Sequence, residues 1–336
     1  MAKTYLVTGA AGFIGSRFSH ACTQRGISVI GVDRLTHFAS RPERNLPTFK
    51  TAFEALIDRD EALAWLENTQ PKLDAIIHLG ACTDTTQLDE AYLTKVNLQY
   101  SQKIWEYATA HHIPLAYASS AATYGDGALG YMDNESEIPK LKPLNPYGDS
   151  KQRFDLWALE QERLGHAPPS WAGFKFFNVY GFGERHKGKM ASVILHAFDQ
   201  IHNQGRGQGR DTGRVTLFKS HRDGIADGEQ KRDFICVEDL IQVLHFALEK
   251  PLRRGIFNLG TGRARSYLDL VRAVFAALGQ APAIDFIDTP LEIRERYQYF
   301  TQATMERLKS EGFTPPFTTL EDGVKNYVKM LAAERT

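Results

Sequence analysis

Cysteine is scarce: the chain has three, Cys22, Cys82 and Cys236, far apart in sequence. Scattered thiols suit no disulfide framework and no zinc-ligand spacing, so disulfide modules and structural zinc modules are excluded and no metal is expected. Long hydrophobic runs are also lacking. No apolar stretch approaches the roughly 18–20 residues of a membrane span, and the opening Met1–Thr8 is interrupted too soon for a signal peptide. The expectation is a soluble protein of the reducing cytoplasm, with no membrane partner. Charge of one sign is missing as well, since 40 Lys and Arg offset 40 Asp and Glu. Binding through nucleic-acid phosphates usually needs a basic excess, so no nucleic-acid partner is expected. The Gly/Arg stretch 205–214 has few arginines and no aromatic residue on which a base could stack. What remains is 336 residues of ordinary globular composition, 43% hydrophobic and 24% charged. That length suits two domains, or one large domain with a smaller lobe.

Short apolar runs alternate with helical patterns over the first half. Strands are expected at Thr4–Thr8, Ser28–Val32, Ala75–Leu79, Pro114–Ala118 and Gly173–Phe177. Helices are expected at Phe13–Arg25, around Ala62–Leu66, over Tyr92–Ala110 and from about Pro146. Strand–helix alternation of this kind argues for an α/β fold with a doubly wound parallel sheet of Rossmann type. After about Asn178 the pattern changes. The residues from 205 to 231 are polar and glycine-rich, with one apolar island at Val215–Phe218, and read as a mobile loop carrying a short strand. Strands at Asp233–Val237, Gly255–Leu259 and Ile284–Ile287 follow, with helices at Met190–His202, Glu238–Glu249, Ser266–Leu278, near Gln302–Ser310 and at Leu320–Ala333. The expected division is a nucleotide-binding domain over residues 1–178 and a smaller α/β lobe over 179–336. The boundary is interleaved, with later segments returning to the first domain.

Gly9-Ala10-Ala11-Gly12-Phe13-Ile14-Gly15 follows the first strand and opens the first helix. That is the setting a dinucleotide fingerprint requires. The turn needs glycine backbone freedom, and a pyrophosphate needs close backbone approach and a helix N-terminus aimed at it. Asp33 ends the second strand, where an acid meets the adenosine ribose. Arg34 follows it, with Arg41, Arg44 and Arg59 further on. Guanidinium groups there suit a 2′-phosphate and point to NADP rather than NAD. Solvated surface arginines are the alternative, and Asp33 keeps NAD open.

Ser120 stands at the end of a strand, and in an open α/β sheet strand carboxyl ends face the ligand crevice. Tyr147 alone among thirteen tyrosines has a lysine, Lys151, four residues later. On a helix these two share a face, so phenol and ammonium can point to one site. A cation there favours phenolate and draws the tyrosine pKa down toward working pH. Fingerprint, serine and Tyr–Lys pair, in this order, resemble the extended short-chain dehydrogenase/reductase superfamily. The resemblance implies nicotinamide hydride chemistry at a secondary alcohol of a nucleotide sugar. Tyr147 would move the alcohol proton, Lys151 would hold the nicotinamide ribose, and Ser120 would face the substrate.

Longer segments narrow the resemblance. Gly80-Ala81-Cys82-Thr83-Asp84-Thr85-Thr86, Pro143–Lys151, Phe176–Gly181, His186-Lys187-Gly188, Met190–Val193, Lys231–Phe234, Gly255–Ala264 and Arg296-Tyr297-Gln298 are similar to the ADP-L-glycero-D-manno-heptose 6-epimerases. That family inverts C6 of the heptose to give a precursor of the lipopolysaccharide inner core. The hydride leaves to the cofactor, a ketone forms, and the hydride returns to the opposite face, so the cofactor can stay bound. One fixed tyrosine cannot readily serve the alcohol oxygen in both poses. Lys187 occupies the family position for a second acid/base, and shielding near another cation would lower its pKa. Diphosphate binding is the plainer role for it. The resemblance also implies a cofactor site lined by Gly9, Gly12, Phe13, Ile14, Gly15, Asp33, Arg34, Arg59, Leu79, Gly80, Ala81, Cys82, Asn97, Lys151 and Val179. It implies a substrate site lined by Ser120, Asn178, Lys189, His196, Phe218, Ser220, Arg232 and Tyr297. A homo-oligomer is implied too, a pentamer being one form it allows.

Two departures stand out. Lys189 replaces the small serine usual after His-Lys-Gly, and the segment before Lys231 is longer and more basic than the family pattern. Both bear on which sugar is bound. Another nucleotide-sugar epimerase or reductase is therefore the nearest rival, and a non-catalytic NADP(H)-binding regulator the rival of a different class. Intact Ser120, Tyr147 and Lys151 argue against the regulator. A 4,6-dehydratase is disfavoured, because Ala121 and Ala122 stand where dehydratases carry an acidic pair.

Overall fold

Seven short strands, six of them largely buried, pair into one parallel sheet. The strands are β1 (Thr4–Thr8), β2 (Ser28–Asp33), β3 (Phe53–Asp58), β4 (Ala75–His78), β5 (Leu115–Ser120), β6 (Trp171–Phe176) and, after a long excursion, β10 (Gly255–Leu259). Their order across the sheet is β10-β6-β5-β4-β1-β2-β3, with every pairing parallel. The order reverses between β1 and β4, which opens a crevice at their carboxyl ends, where open α/β sheets bind ligands. The structure, a computed structural model, describes residues 2–40, 51, 53–202, 213–250, 252, 254–294 and 297–334. Arg41, Arg44, Arg296 and the 205–212 part of the expected loop lie outside the described residues.

The central strands β1, β4, β5 and β6 are buried almost throughout, and helices cover both faces. Such strands read as continuous apolar runs rather than alternating ones. The helices Phe13–Gln24, Tyr100–Ala110, Pro146–Arg163 and Val237–Glu249 bury Phe18, Ile104, Trp105, Phe154 and Leu240 in one continuous core with the sheet. Trp105 meets Trp171 edge-on with centroids 4.9 Å apart, which locks a helix against β6.

A second core belongs to the other lobe. It is built on β7 (Asn178–Tyr180), β8 (Val215–Phe218), β9 (Lys231–Cys236), β11 (Ala264–Ser266) and β12 (Ile284–Ile287). β11-β9-β7 form a three-stranded sheet and β12-β8 a two-stranded one. The helices Val193–His202, Tyr267–Ala277 and Leu320–Ala333 pack on one another over it. The Tyr267–Ala277 helix starts with a reciprocal Ser266–Asp269 capping box, the local signal that ends β11 and begins the helix. Among the described residues no helix is long and apolar enough to cross a membrane. None of their His, Cys, Asp and Glu side chains group in threes to hold a metal ion.

Candidate active site

The glycine turn is shaped by contacts that only glycine permits. Gly9 has φ +68°, and a Cβ on it would lie 2.8 Å from the Gly80 backbone nitrogen. A Cβ on Gly15 would lie 2.0 Å from the Gly9 carbonyl oxygen. The helix beginning at Phe13 therefore sits tight against β1, and no side chain caps its N-terminus at Gly12. An uncapped helix end behind a glycine turn fits a dinucleotide pyrophosphate. The turn is held from two sides. Asp33 Oδ2 accepts the Ala11 N–H at 3.0 Å, and the Gly80 N–H donates to Thr8 Oγ1 at 3.0 Å.

Beneath the turn runs a buried relay. Thr8 Oγ1 lies 2.7 Å from His78 Nδ1, and His78 Nε2 lies 2.8 Å from Ser101 Oγ, which donates to the Asn97 carbonyl at 2.5 Å. Ser101 spends its one proton on the Asn97 carbonyl, so it accepts from His78 Nε2–H, and the bare Nδ1 takes the Thr8 hydroxyl proton. Burial, aided by Lys151, pushes the His78 pKa down to about 3. Asn97 sits in the π-helical turn Thr94–Gln99. Its side chain accepts the Cys82 N–H at 2.8 Å and donates to the Cys82 carbonyl and to Ser150 Oγ, each at 3.0 Å. Ser150 in turn donates to the Tyr147 carbonyl at 2.7 Å. Asn97 is thus wholly buried and ties the Leu79–Cys82 segment to the Tyr147 helix.

Asn145 caps that helix and Pro146 opens it, so its first turn is locally encoded. Tyr147 and Lys151 come together with Ser120, the last residue of β5. Ser120 hydrogen-bonds the Tyr147 phenol and accepts the Ala122 N–H at 3.1 Å. Lys151 Nζ donates to the Ala118 carbonyl at 2.9 Å. Burial pushes the Lys151 ammonium down to about 8, against the pull of Asp155. The Tyr147 phenol departs from expectation: burial pushes it up, and Ser120, not Lys151, is what favours the phenolate. Lys151 is turned to the Ala118 carbonyl, which leaves burial dominant. Below the pair, Lys175 donates to Asp155 at 2.6 Å and to Thr123 Oγ1 at 2.7 Å, with both charged side chains fully buried.

Lys187 reaches the site from the other lobe. Its ammonium lies 5.4 Å from the Phe13 ring centroid, over the glycine turn. Its charged neighbour is the Glu184 carboxylate at 3.5 Å, not the cation expected. Lys189 and Asn178 are exposed, and Val179 and His196 are half-buried. Arg232 stacks between Tyr267 and Tyr297, at 5.8 and 5.5 Å, and donates to the Lys231 and Gln298 carbonyls. Ser220 joins this group through Tyr299, while Phe218 ends β8. At the end of β2, the Asp33 Oδ1 is engaged by the Arg34 N–H and His37 Nδ1, Arg34 is exposed, and Arg59 is paired to Asp60 at 2.7 Å. His78, Glu184, Asp155, Lys175 and Tyr299 escaped the sequence reading. Asp155 carried one signal, standing four residues beyond Lys151 on the same helix face.

A glycine-turn crevice, a half-buried serine beside a buried Tyr–Lys pair and a lysine reaching over the turn define a dinucleotide-dependent enzyme working on a carbon-bound hydroxyl. The model of the NAD dependent epimerase/dehydratase family matches residues 5–260. An ADP-L-glycero-D-manno-heptose-6-epimerase of Nitratidesulfovibrio vulgaris (strain DP4) is 43% identical over 98% of both chains. One of Fusobacterium nucleatum subsp. nucleatum is 40% identical, again over 98% of both. The crystal structure of the Helicobacter pylori ADP-L-glycero-D-manno-heptose-6-epimerase superposes with a TM-score of 0.76 at 27% identity, covering 99% of this chain and 97% of that one. The chain belongs to the ADP-L-glycero-D-manno-heptose-6-epimerase family, within the NAD dependent epimerases and dehydratases. It is an epimerase with a nicotinamide cofactor, and its parallel sheet is the Rossmann-type fold of that family.

Proposed function

We propose that the chain inverts C6 of ADP-D-glycero-D-manno-heptose to give ADP-L-glycero-D-manno-heptose, supplying lipopolysaccharide inner-core synthesis. The observation that carries this is that two groups able to move protons come from different lobes, Tyr147 beside Ser120 and Lys187 over the Phe13 ring. A nicotinamide, when bound along the glycine turn, supplies reversible hydride storage. Tyr147 holds or takes the proton of the sugar hydroxyl in one pose, with Ser120 as its hydrogen-bond partner. Lys187 does so in the other pose. Lys151, buried and anchored to Ala118, supplies a positive field and a donor to the ribose. Arg232 and His196 hold the diphosphate, with Tyr297, Asn178, Phe218 and Ser220 around the nucleotide. The proposal extends to NADP over NAD. Exposed Arg34 can take a 2′-phosphate, while the Asp33 carboxylate is committed to Ala11, Arg34 and His37. It extends also to a cofactor half over 1–178, a substrate lobe over 179–336, and a cytoplasmic homo-oligomer.

The test is incubation with ADP-D-glycero-D-manno-heptose and assignment of the C6 epimers by NMR, with the retained cofactor released by denaturation and weighed. Appearance of the L-epimer and recovery of NADP(H) are expected. No epimer formation on this sugar would overturn the substrate, and predominant NAD(H) would overturn the Arg34 argument alone.

A further inference from the structure

The Lys187 segment is closed into a ring by one side chain. Glu184 Oε2 accepts the Ser192 N–H at 2.8 Å, at the start of the Val193–His202 helix, and lies 3.5 Å from Lys187 Nζ. The Lys187 N–H also donates to the Glu184 carbonyl at 2.9 Å. Gly188 allows the chain to reverse inside the ring, with φ +53° and the Ala191 N–H on its carbonyl at 3.1 Å. The Glu184 side chain is fully buried, whereas Lys187 keeps about a quarter of its side chain exposed.

Removing a carboxylate from water is costly unless a cation answers it. The Ser192 clasp does not require a charge, since a glutamine carbonyl would accept the same N–H. The charge makes sense through Lys187. Arg185, the next cation along, is drawn away to Asp199 at 2.8 Å and Glu334 at 3.7 Å. The carboxylate also meets the Tyr327 hydroxyl from the Leu320–Ala333 helix, a side-chain hydrogen bond inside the lobe. The two groups are neighbours: the Glu184 carboxylate adds to burial in pushing the Tyr327 phenol well above its usual range.

We propose that Glu184 is a positioning residue: its buried carboxylate holds the Lys187 ammonium over the glycine turn, where it can serve one epimer. This rests on Lys187 being the second acid/base. A free lysine carries several rotatable bonds, and a fixed anion beside its ammonium narrows the arc that ammonium sweeps. The effect falls on the step that uses Lys187, not on substrate binding.

The experiment compares the native enzyme with Glu184→Gln, Lys187→Met and the double variant. Readouts are kcat, KM, melting temperature, and the near-ultraviolet absorbance of reduced cofactor when each epimer is added in single turnover. Glu184→Gln is expected to lower kcat about tenfold or more with KM changed by less than about threefold. It should slow cofactor reduction by the same one epimer that Lys187→Met slows, and add little in the Lys187→Met background. Equal slowing of both epimers, a full additional loss in the double variant, or an unchanged kcat overturns the proposal. Near-normal Lys187→Met would instead fell the Lys187 assignment, and the positioning role with it. Should Glu184→Gln fail to fold, Glu184→Asp decides. It keeps the charge one methylene short, and an intermediate kcat at native KM is expected, while native kcat overturns the proposal.

Discussion

His78 makes acid sensitivity a direct readout of the buried relay. Its folded-state pKa of about 3 lies below the 6.5 of an ordinary histidine because burial disfavours the imidazolium. The folded chain therefore binds fewer protons at this site than the unfolded chain. Its contribution is complete above the unfolded pKa and is lost as pH falls toward the folded one. From about pH 7.5 to about pH 5.5 one such group contributes a loss of about 1.4 kcal/mol. His245, pushed to about 4 by burial, adds a separate loss of similar size, so the comparison must isolate His78. The perturbation is His78→Gln. It removes the titration and disturbs the bonds to Thr8 and Ser101, a pH-independent cost of about 1–3 kcal/mol. Urea unfolding at both pH values, with cofactor removed, gives each protein's pH difference. The native difference should exceed that of His78→Gln by about 1.4 kcal/mol. Equal differences would refute the reasoning, since His78 would then accept protons as readily folded as unfolded.

Lys175→Met leaves the buried Asp155 without its cation, though Ser119 and Tyr117 still donate to it, at 2.7 and 3.1 Å. A loss of about 3 kcal/mol in urea stability is expected, the low end for a broken buried pair, and a loss below about 1 kcal/mol would count against it. Tyr147→Phe should cut turnover by about 10²-fold or more, with cofactor still bound by mass analysis. Lys189 is exposed, so Lys189→Ser should leave ADP-heptose turnover within about tenfold, or roughly 1.4 kcal/mol. If that variant creates heptose activity absent from the native chain, the native substrate is another nucleotide sugar.

Legibility followed locality. The glycine turn, the Pro146 helix start and the buried strands β1, β4 and β5 rest on residues adjacent in sequence, and all could be read from it. The edge strand β3 was missed because its residues are only partly buried and do not form a continuous apolar run. The stretch Tyr92–Ala110 reads as one helix, and nothing in its composition marks the π-turn at Thr94–Gln99 that aims Asn97 at Cys82. Charge inside the protein was the hardest to read. Asp155 and Lys175 are buried against each other across 20 residues of chain, and Glu184 is buried against Tyr327 on the closing helix. The expected effect of Lys151 on Tyr147 failed for the same reason: spacing puts the two on one face but says nothing of how deeply the phenol is buried.

The sheet's last strand carries a consequence for synthesis. β6 ends at Phe176, and its partner β10 begins about 80 residues later. At about 5–20 residues per second, a growing chain waits roughly 4–16 s between the two. During that interval the Trp171–Phe176 backbone is an unpaired edge whose side chains are almost all destined for the interior. Open apolar edges recruit other chains. A ribosome stalled between these points, or a message truncated there, would release a polypeptide with its fingerprint and Ser–Tyr–Lys residues in place and its sheet unfinished. Such a product would be a substrate for chaperones and proteases rather than half an enzyme.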